Sequence, residues 1–103
     1  MVKHGEIWWY EEPDRDPRPH LVLTRDEAIP VLTTLLAVPA TRTIRRIPTE
    51  VALDEQDGMP AACVLTIDNL TTVEQIYLTS RITVLGPARM HQVCEALAFA
   101  AAC

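Results

Sequence analysis

The positions of the prolines constrain this fold more than any other feature of the sequence. Seven of the eight prolines lie within the first 60 residues, and the last, Pro87, follows Gly86. Because proline removes a backbone N–H and clashes with the preceding helical turn, this spacing leaves no room for a long helix in the first 60 residues. From Ala88 onward the chain has neither Gly nor Pro. A helix is therefore expected at the C-terminal end, with short strands and turns before it.

The segments between these breakers favour β-strands, because they are short and rich in β-branched and aromatic residues. The predicted strands cover residues 6–10, 20–24, 34–38, 49–53, 63–67 and 81–85. Pro39 is expected to end the third strand, since a proline cannot donate to the hydrogen-bond ladder. The acidic, proline-containing segment 11–17 and the segment 54–60 are predicted to be loops.

The C-terminal segment has the periodicity of an amphipathic helix. Five residues fall on one helical face: Met90, Val93, Cys94, Leu97 and Ala101. We predict a terminal helix over about 87–101 that has Pro87 in its first turn, and strands within about 5–85. Residues 1–103 then form one domain, mainly β with a C-terminal α-helix, folded as a small bent antiparallel sheet or open barrel.

Cysteine and histidine usage argues against a disulfide framework and against a metal site. The three cysteines, Cys63, Cys94 and Cys103, form no C-x-x-C pair, which is typical of reduced thiols in the cytoplasm. None of the scattered histidines stands at zinc-ligand spacing from a cysteine. The N-terminus lacks an apolar signal segment, and the apolar run 96–103 is far shorter than the roughly 18 residues of a membrane span. We expect a cytoplasmic protein with no metal, cofactor or membrane partner.

The net charge of −5 argues against a nucleic-acid partner, because phosphate binding favours a basic surface. The distribution of charge argues the other way. Seven of the nine basic residues lie before residue 54: Lys3, Arg15, Arg18, Arg25, Arg42, Arg45 and Arg46. Two interpretations stay open at this point, a basic patch on an acidic molecule or a solvated face with surface ion pairs.

Five motifs occur in a fixed order along the chain. They are Gly5-Glu6-Ile7-Trp8-Trp9; Arg18-Pro19-x-Leu21-Val22-Leu23-Thr24-Arg25-Asp26; Val38-Pro39-Ala40-Thr41 followed by Ile47-Pro48-Thr49-Glu50-Val51; Asp68-Asn69-Leu70-x-Thr72-Val73; and an amphipathic helix from Met90 through Leu97. In this order, and in a chain of this length, they resemble the MazF/PemK family of bacterial toxins. The resemblance covers essentially the whole chain.

The resemblance implies an SH3-like barrel with a C-terminal helix that works as a homodimer. It also implies the toxin of a type II toxin–antitoxin system, held inactive by a cognate antitoxin. Such a toxin is a sequence-selective endoribonuclease that cleaves single-stranded RNA without a metal. Two alternatives remain open. One is a toxin of the same fold that poisons DNA gyrase through the C-terminal helix with Phe99 and Cys103, and the other is a plain SH3-like interaction module.

The family pattern also implies which residues catalyse. Arg18, directly before the proline that opens the second strand, stands at the position of the catalytic arginine. Thr41, after Val38-Pro39-Ala40, stands at the position of the catalytic hydroxyl. These residue types suit RNA cleavage, because a guanidinium fork matches phosphate oxygens and a hydroxyl can hydrogen-bond to one of them. Pro17 and Pro19 restrict the backbone around Arg18, which favours pre-organisation.

Five further residues are expected to contact the substrate: His20, Arg42, Arg45, Arg46 and Asn69. The three arginines suit phosphates and Asn69 suits a base. His20 departs from the family, which commonly has an aliphatic residue there. Because it shares a strand face with Arg18, we expect a substrate contact or a hydrogen-bonded structural residue, and a role as acid or base stays open. Core or dimer packing is expected for most of the aromatic run Trp8, Trp9 and Tyr10, and base stacking is the alternative.

Overall fold

The computed structural model of the chain describes residues 1–102, and within them it contains seven strands and one α-helix. The strands are β1 (Glu6–Tyr10), β2 (Arg18–Val22), β3 (Thr34–Thr41), β4 (Glu50–Leu53), β5 (Cys63–Thr66), β6 (Thr71–Glu74) and β7 (Leu78–Val84). The helix α1 spans Pro87–Ala101. Short 3-10 turns lie at Ile29–Val31, Glu55–Asp57, Ile67–Asn69 and Gln75–Tyr77. Cys103, which the gyrase alternative invokes, lies outside the described residues.

The strands form one antiparallel sheet in the order β4-β5-β3-β2-β1-β7. Along one edge β3 changes its partner: Thr34 to Ala37 pair with β6, whereas Ala40 and Thr41 pair with β5. Its other edge pairs with β2. This change of partner bends the sheet, while β4 and β7 stay at the two ends of the order. The predicted mainly β fold with a C-terminal helix is confirmed, and the sheet is barrel-like but open.

The prediction that Pro39 ends the third strand is wrong, because β3 continues to Thr41. Pro39 pairs with His20 of β2. On its other edge it lies between the residues that pair with β6 and those that pair with β5. Its carbonyl faces this gap, where it accepts a hydrogen bond of 3.1 Å from Thr66 Oγ1. The N and C=O of one strand residue face the same edge, so the missing N–H interrupts no ladder bond.

Three other strands differ from the sequence prediction by more than one residue, and one of them is β7, which begins at Leu78 rather than at residue 81. β2 begins at Arg18 rather than at residue 20, because β1 extends the pairing by placing Trp9 opposite Pro19 and Tyr10 opposite Arg18. β6 lies in a segment for which no strand is predicted. Only Val73 of its four residues is buried, so the segment is too short and too polar to show strand alternation.

α1 packs on the sheet through Val93 and Ala96, which are buried. The prediction that Cys94 and Ala101 share this face is wrong, since both are exposed. The helix contacts the Ile67–Asn69 turn and β4, and these contacts centre the buried stripe on positions 93 and 96. The helix therefore covers the core that contains Ile7 of β1 and other buried strand residues.

Candidate functional site

Two cavities share Arg18 as part of their walls. The smaller has a volume of about 300 Å³ and the larger about 590 Å³. Arg18 is exposed and begins β2, where its backbone pairs with Tyr10 of β1. Pro17 and Pro19 flank it, and a proline ring restricts both its own backbone and that of the preceding residue. The guanidinium therefore extends from a backbone that has little freedom to move.

The smaller cavity brings the two predicted catalytic residues together. β2 and β3 are antiparallel, with His20 opposite Pro39, and continuing this register by two residues places Arg18 opposite Thr41. Both side chains line the smaller cavity, as does Arg42. The rest of its wall is mostly apolar: Trp9, Pro17, Pro19, Ala40, Met59, Pro60, Ala61 and Cys63.

The smaller cavity suits an anion. Among the described residues, its lining includes Arg18 and Arg42 and neither an Asp nor a Glu. Thr41 Oγ1 accepts a hydrogen bond from the Thr43 N–H at 3.2 Å, which leaves the hydroxyl hydrogen available to a ligand. Burial raises the pKa of the Cys63 thiol, so this side chain is a neutral wall residue and not a thiolate nucleophile.

The larger cavity brings His20 and Asn69 together with Arg18. The loop between β1 and β2 adds charges of both signs, Arg15 with Glu12 and Asp16. The remaining wall residues are Tyr10, Pro39, Thr71, Thr72 and Val73. Two arginines and two acidic residues line this cavity, so it is polar but close to neutral.

His20 is buried in the middle of the sheet, where it pairs with Trp8 and Pro39. Its Nδ1 lies 3.1 Å from the carbonyl oxygen of Arg18. A carbonyl oxygen only accepts, so Nδ1 carries the ring hydrogen. Burial lowers the pKa of His20 and outweighs the hydrogen bond to the Arg18 carbonyl, which raises this pKa. The positive charge of Arg18 lowers the pKa further, and the negative charge of Glu12 raises it. The ring is therefore neutral near pH 7, and its unprotonated Nε2 has no hydrogen-bond partner among residues 1–102.

The aromatic residues of β1 have different surroundings. Tyr10 is buried, and its ring meets that of His20 edge-on, with the centroids 5.1 Å apart. Trp8 is half-buried and donates from Nε1 to Glu6 Oε1 at 3.0 Å. Trp9 is half-buried and lines the smaller cavity. The prediction of core packing is confirmed for Tyr10. Successive residues of a strand face opposite sides of the sheet, and this alternation is the sequence signal that would have set Trp9 apart from Trp8 and Tyr10.

Arg45 and Arg46 line neither cavity. They lie on an exposed segment, residues 42–47, which we call the arginine loop. The backbone N–H groups of both residues donate to Glu50 Oε1, at 2.9 and 2.8 Å, and Arg46 has a left-handed φ of 60°. The Glu50 carboxylate thus holds a tight turn that exposes both guanidinium groups. Sequence reasoning missed this role, since nothing in the sequence shows that Glu50 folds back on the loop.

Among residues 1–102, no three His, Cys, Asp or Glu side chains gather as metal ligands would. In the same part of the chain, the helical segments fall short of the length and hydropathy that a bilayer span requires.

Known proteins resemble this chain in both sequence and fold. A family described as "PemK-like, MazF-like toxin of type II toxin-antitoxin system" matches residues 3–100. "Probable endoribonuclease MazF5" of Mycobacterium tuberculosis is 38% identical over 104 residues, which cover 100% of this chain and 95% of that protein.

Two solved structures from mycobacteria have the same fold. "Mycobacterium tuberculosis toxin MazF-mt6" is 30% identical with a TM-score of 0.86, covering 94% of this chain and 96% of that one. "Endoribonuclease in complex with its cognate antitoxin from Mycobacterial species" is 25% identical with a TM-score of 0.87, covering 99% of this chain and 96% of that one.

Proposed function

Because this chain belongs to the PemK-like, MazF-like toxin family of type II toxin–antitoxin systems, we propose that it is an endoribonuclease that cuts single-stranded mRNA at selected sequences and so inhibits translation and growth. Family membership confirms the resemblance carried by the sequence motifs. The names of similar proteins support the activity, since two of them are called endoribonucleases. The observation that carries the proposal is the smaller cavity, which is lined by Arg18, Arg42 and Thr41 and by no Asp or Glu of the described residues.

The proposed reaction uses the nucleophile that RNA itself supplies. The 2′-OH attacks the adjacent phosphorus and gives up its proton, while the bond from phosphorus to the 5′-oxygen breaks and that oxygen takes up a proton. The products are a 2′,3′-cyclic phosphate and a 5′-OH end. Negative charge builds on the non-bridging oxygens in the transition state, where the Arg18 guanidinium stabilises it. Thr41 donates a hydrogen bond to a phosphate oxygen and helps to fix the in-line geometry.

The remaining predicted site residues are proposed to bind the substrate around this phosphate. Arg42 lies in the same cavity, and His20 and Asn69 lie in the larger one. Arg45 and Arg46 are proposed to contact phosphates farther along the strand from the arginine loop. Arginine–phosphate contacts raise affinity in a salt-dependent way and carry no sequence information.

The proposal also includes a homodimer, a cognate antitoxin and a cytoplasmic location. One similar structure contains an endoribonuclease with its cognate antitoxin, which supports an antitoxin partner here. Since the substrate is mRNA, the protein acts in the cytoplasm. No metal or cofactor is required on this route, because RNA provides the nucleophile and Arg18 the positive charge.

Cleavage of single-stranded RNA in excess EDTA tests the activity. We expect cuts with 2′,3′-cyclic phosphate and 5′-OH ends, and none where the cleaved nucleotide carries 2′-deoxyribose. Arg18→Ala and Thr41→Ala should each lower kcat by about 100-fold or more, because each removes a donor to the transition state. Thr41→Ser is the matched control, since it keeps the hydroxyl. Circular dichroism checks that each variant is folded.

Two results would contradict the proposal. If the protein leaves RNA intact but inhibits DNA supercoiling by gyrase, the non-catalytic alternative is correct. If Arg18→Ala and Thr41→Ala both cut RNA at the wild-type rate, the catalytic residues lie elsewhere.

A further inference from the structure

We propose that the larger cavity reads one unstacked RNA base, and that His20 Nε2 accepts a hydrogen bond from an N–H on the edge of that base. The proposal rests on the endoribonuclease function proposed above and names a residue that selects the substrate.

Charge distinguishes the two cavities that share Arg18. The charged residues that line the smaller one, Arg18 and Arg42, are both basic, which suits the charged phosphate. In the larger one, Glu12 and Asp16 offset Arg15 and Arg18 and repel phosphate oxygens. A nucleobase is neutral and polar, so it matches the larger cavity. Because Arg18 lines both, a phosphate held in the smaller cavity brings an adjoining nucleotide to the larger one.

The size and walls of the larger cavity also suit a base. Its volume of about 590 Å³ lies within the range of small-ligand pockets. Tyr10, Pro39 and Val73 supply apolar surface, while His20 and Asn69 supply polar groups. Sequence-specific RNA recognition generally works in this way, with an unstacked base held against apolar surface and hydrogen-bonded along its edge.

His20 is held as an acceptor. Its Nδ1–H is committed to the Arg18 carbonyl, 3.1 Å away. The ring is also fixed by Tyr10, whose ring meets it at an interplanar angle of 64°. Only Nε2 remains to contact a ligand. An acceptor in a confined cavity discriminates strongly, because a base without a matching N–H leaves it unpaired. Asn69 adds an amide that can both donate and accept.

Cleavage of a randomised single-stranded RNA pool by the wild-type protein identifies the preferred base at each position around the cut. The preferred RNA is then remade with one N–H donor removed at a time, as inosine removes the amino group of guanine and purine that of adenine. We expect one position at which the removal lowers kcat/KM by about tenfold. Removal at the other positions should have smaller effects.

Two amide variants then connect that position to His20. The substitution His20→Asn keeps an N–H close to the place of Nδ1 but removes the acceptor, whereas His20→Gln puts an amide oxygen close to the place of Nε2. With His20→Asn we expect kcat/KM on the preferred RNA to fall by about tenfold, with the natural and the donor-deleted RNA cut equally. His20→Gln should keep the discrimination, and His91→Asn, on the exposed face of α1, serves as the matched control.

The outcomes separate this proposal from the function on which it rests. If no single donor removal slows the wild-type protein, or if His20→Asn keeps its base preference, the proposal is wrong although the protein still cuts RNA. If His20→Asn slows every sequence equally, His20 supports Arg18 and reads no base, which also overturns it. Should His20→Asn fail to fold, His20→Leu takes its place, because it also removes the acceptor and the family commonly has an aliphatic residue at this position.

Discussion

His20 makes the folded state sensitive to acid. Burial lowers the pKa of His20 below the usual 6.5, although the hydrogen bond to the Arg18 carbonyl raises it. The charge of Arg18 also lowers this pKa, and the charge of Glu12 raises it. The unfolded chain therefore binds a proton at a higher pH than the folded one. Folding stability therefore falls as the pH drops below about 6.5. We expect urea unfolding to show that the wild type loses more stability between pH 7.5 and pH 5 than His20→Gln does.

The exposed His91 provides the control for this prediction. Its Nε2 lies 3.6 Å from Glu95 Oε1 on the exposed helix surface, and a surface pair of this kind contributes little to stability, so His91→Gln should follow the wild type at both pH values. An equal loss of stability in the wild type and in His20→Gln would show that His20 does not titrate as described.

Gly58 is the position at which a side chain fits least well. Its φ is 91°, and an added Cβ would collide with the Oγ1 and Cβ of Thr83, whose hydroxyl donates to the Asp57 carbonyl at 2.7 Å. We expect Gly58→Ala to lower the free energy of unfolding by at least about 1 kcal/mol. Gly86→Ala is the control, because no atom of the described residues beyond its chain neighbours lies within 4 Å of its added Cβ. Similar urea midpoints for the two variants would contradict this prediction.

The arginine loop is an element whose shape depends on one carboxylate. Glu50 Oε1 accepts from the Arg45 and Arg46 N–H groups, and Oε2 is buried with no partner among residues 1–102. Glu50→Gln and Glu50→Ala remove the same negative charge, but only the first keeps an acceptor for both N–H groups. Comparing them therefore isolates the effect of loop shape on RNA binding.

We expect Glu50→Ala to bind a non-cleavable 2′-O-methyl RNA more weakly than Glu50→Gln does. Loss of one or two phosphate contacts should make the plot of log affinity against log salt shallower by about 1. Fluorescence anisotropy at several salt concentrations measures both quantities. Parallel plots for the two variants would mean that the loop does not contact phosphates.

At the scale of strands, the sequence predicts most elements and misplaces those whose limits depend on partners. β1 follows from its own residues, and α1 follows from the absence of breakers after Pro87. The end of β3 does not, because Pro39 is tolerated only at the gap between β6 and β5. β6 forms by pairing with the first half of β3. Its own four residues give little sign of a strand.

The helix is joined to the rest of the molecule by an ion pair as well as by its buried face. Arg89 Nε donates to Asp57 Oδ1 at 3.0 Å, which links α1 to the Glu55–Asp57 turn. Burial raises the pKa of Asp57, but three other effects outweigh burial and bring this pKa below the usual 3.8. They are the hydrogen bond from Arg89, the hydrogen bond from the Asp54 N–H and the charge of Arg89. The ionised carboxylate therefore stabilises the fold above about pH 4, and this stabilisation is lost as the pH falls through the folded-state pKa.

We expect Arg89→Leu to lower the free energy of unfolding by about 1 to 2 kcal/mol at pH 7. The difference from the wild type should shrink toward pH 2 to 3, because protonated Asp57 no longer attracts Arg89. Arg25→Leu, an exposed arginine outside both cavities, is the matched control. Denaturant unfolding at both pH values measures the effect, and a constant difference between them would show that Asp57 is not the partner that matters.

At the scale of the whole molecule, the sequence motifs predict which catalytic candidates meet, and the strand register explains why. Arg18 and Thr41 lie 23 positions apart in the chain, yet the pairing of β2 with β3 brings them to one cavity. Cys63 and Met59 complete its wall from β5 and the preceding turn, and their residue types give no hint of this. The division into two cavities of different charge depends on how the 11–17 loop folds over β2, which no local pattern specifies.

Arg18 belongs to both cavities, and this has a consequence for how such toxins diversify. Substitutions on the far wall of the larger cavity, at His20, at Asn69 or at residues 12–16 of the loop, change no residue that lines the smaller cavity. If the two cavities divide the work as proposed, a lineage can acquire a new target sequence in small steps while each intermediate still cuts RNA. On the proposed mechanism, substitutions at Arg18 have no such freedom, because one change there alters the chemistry and the choice of target together.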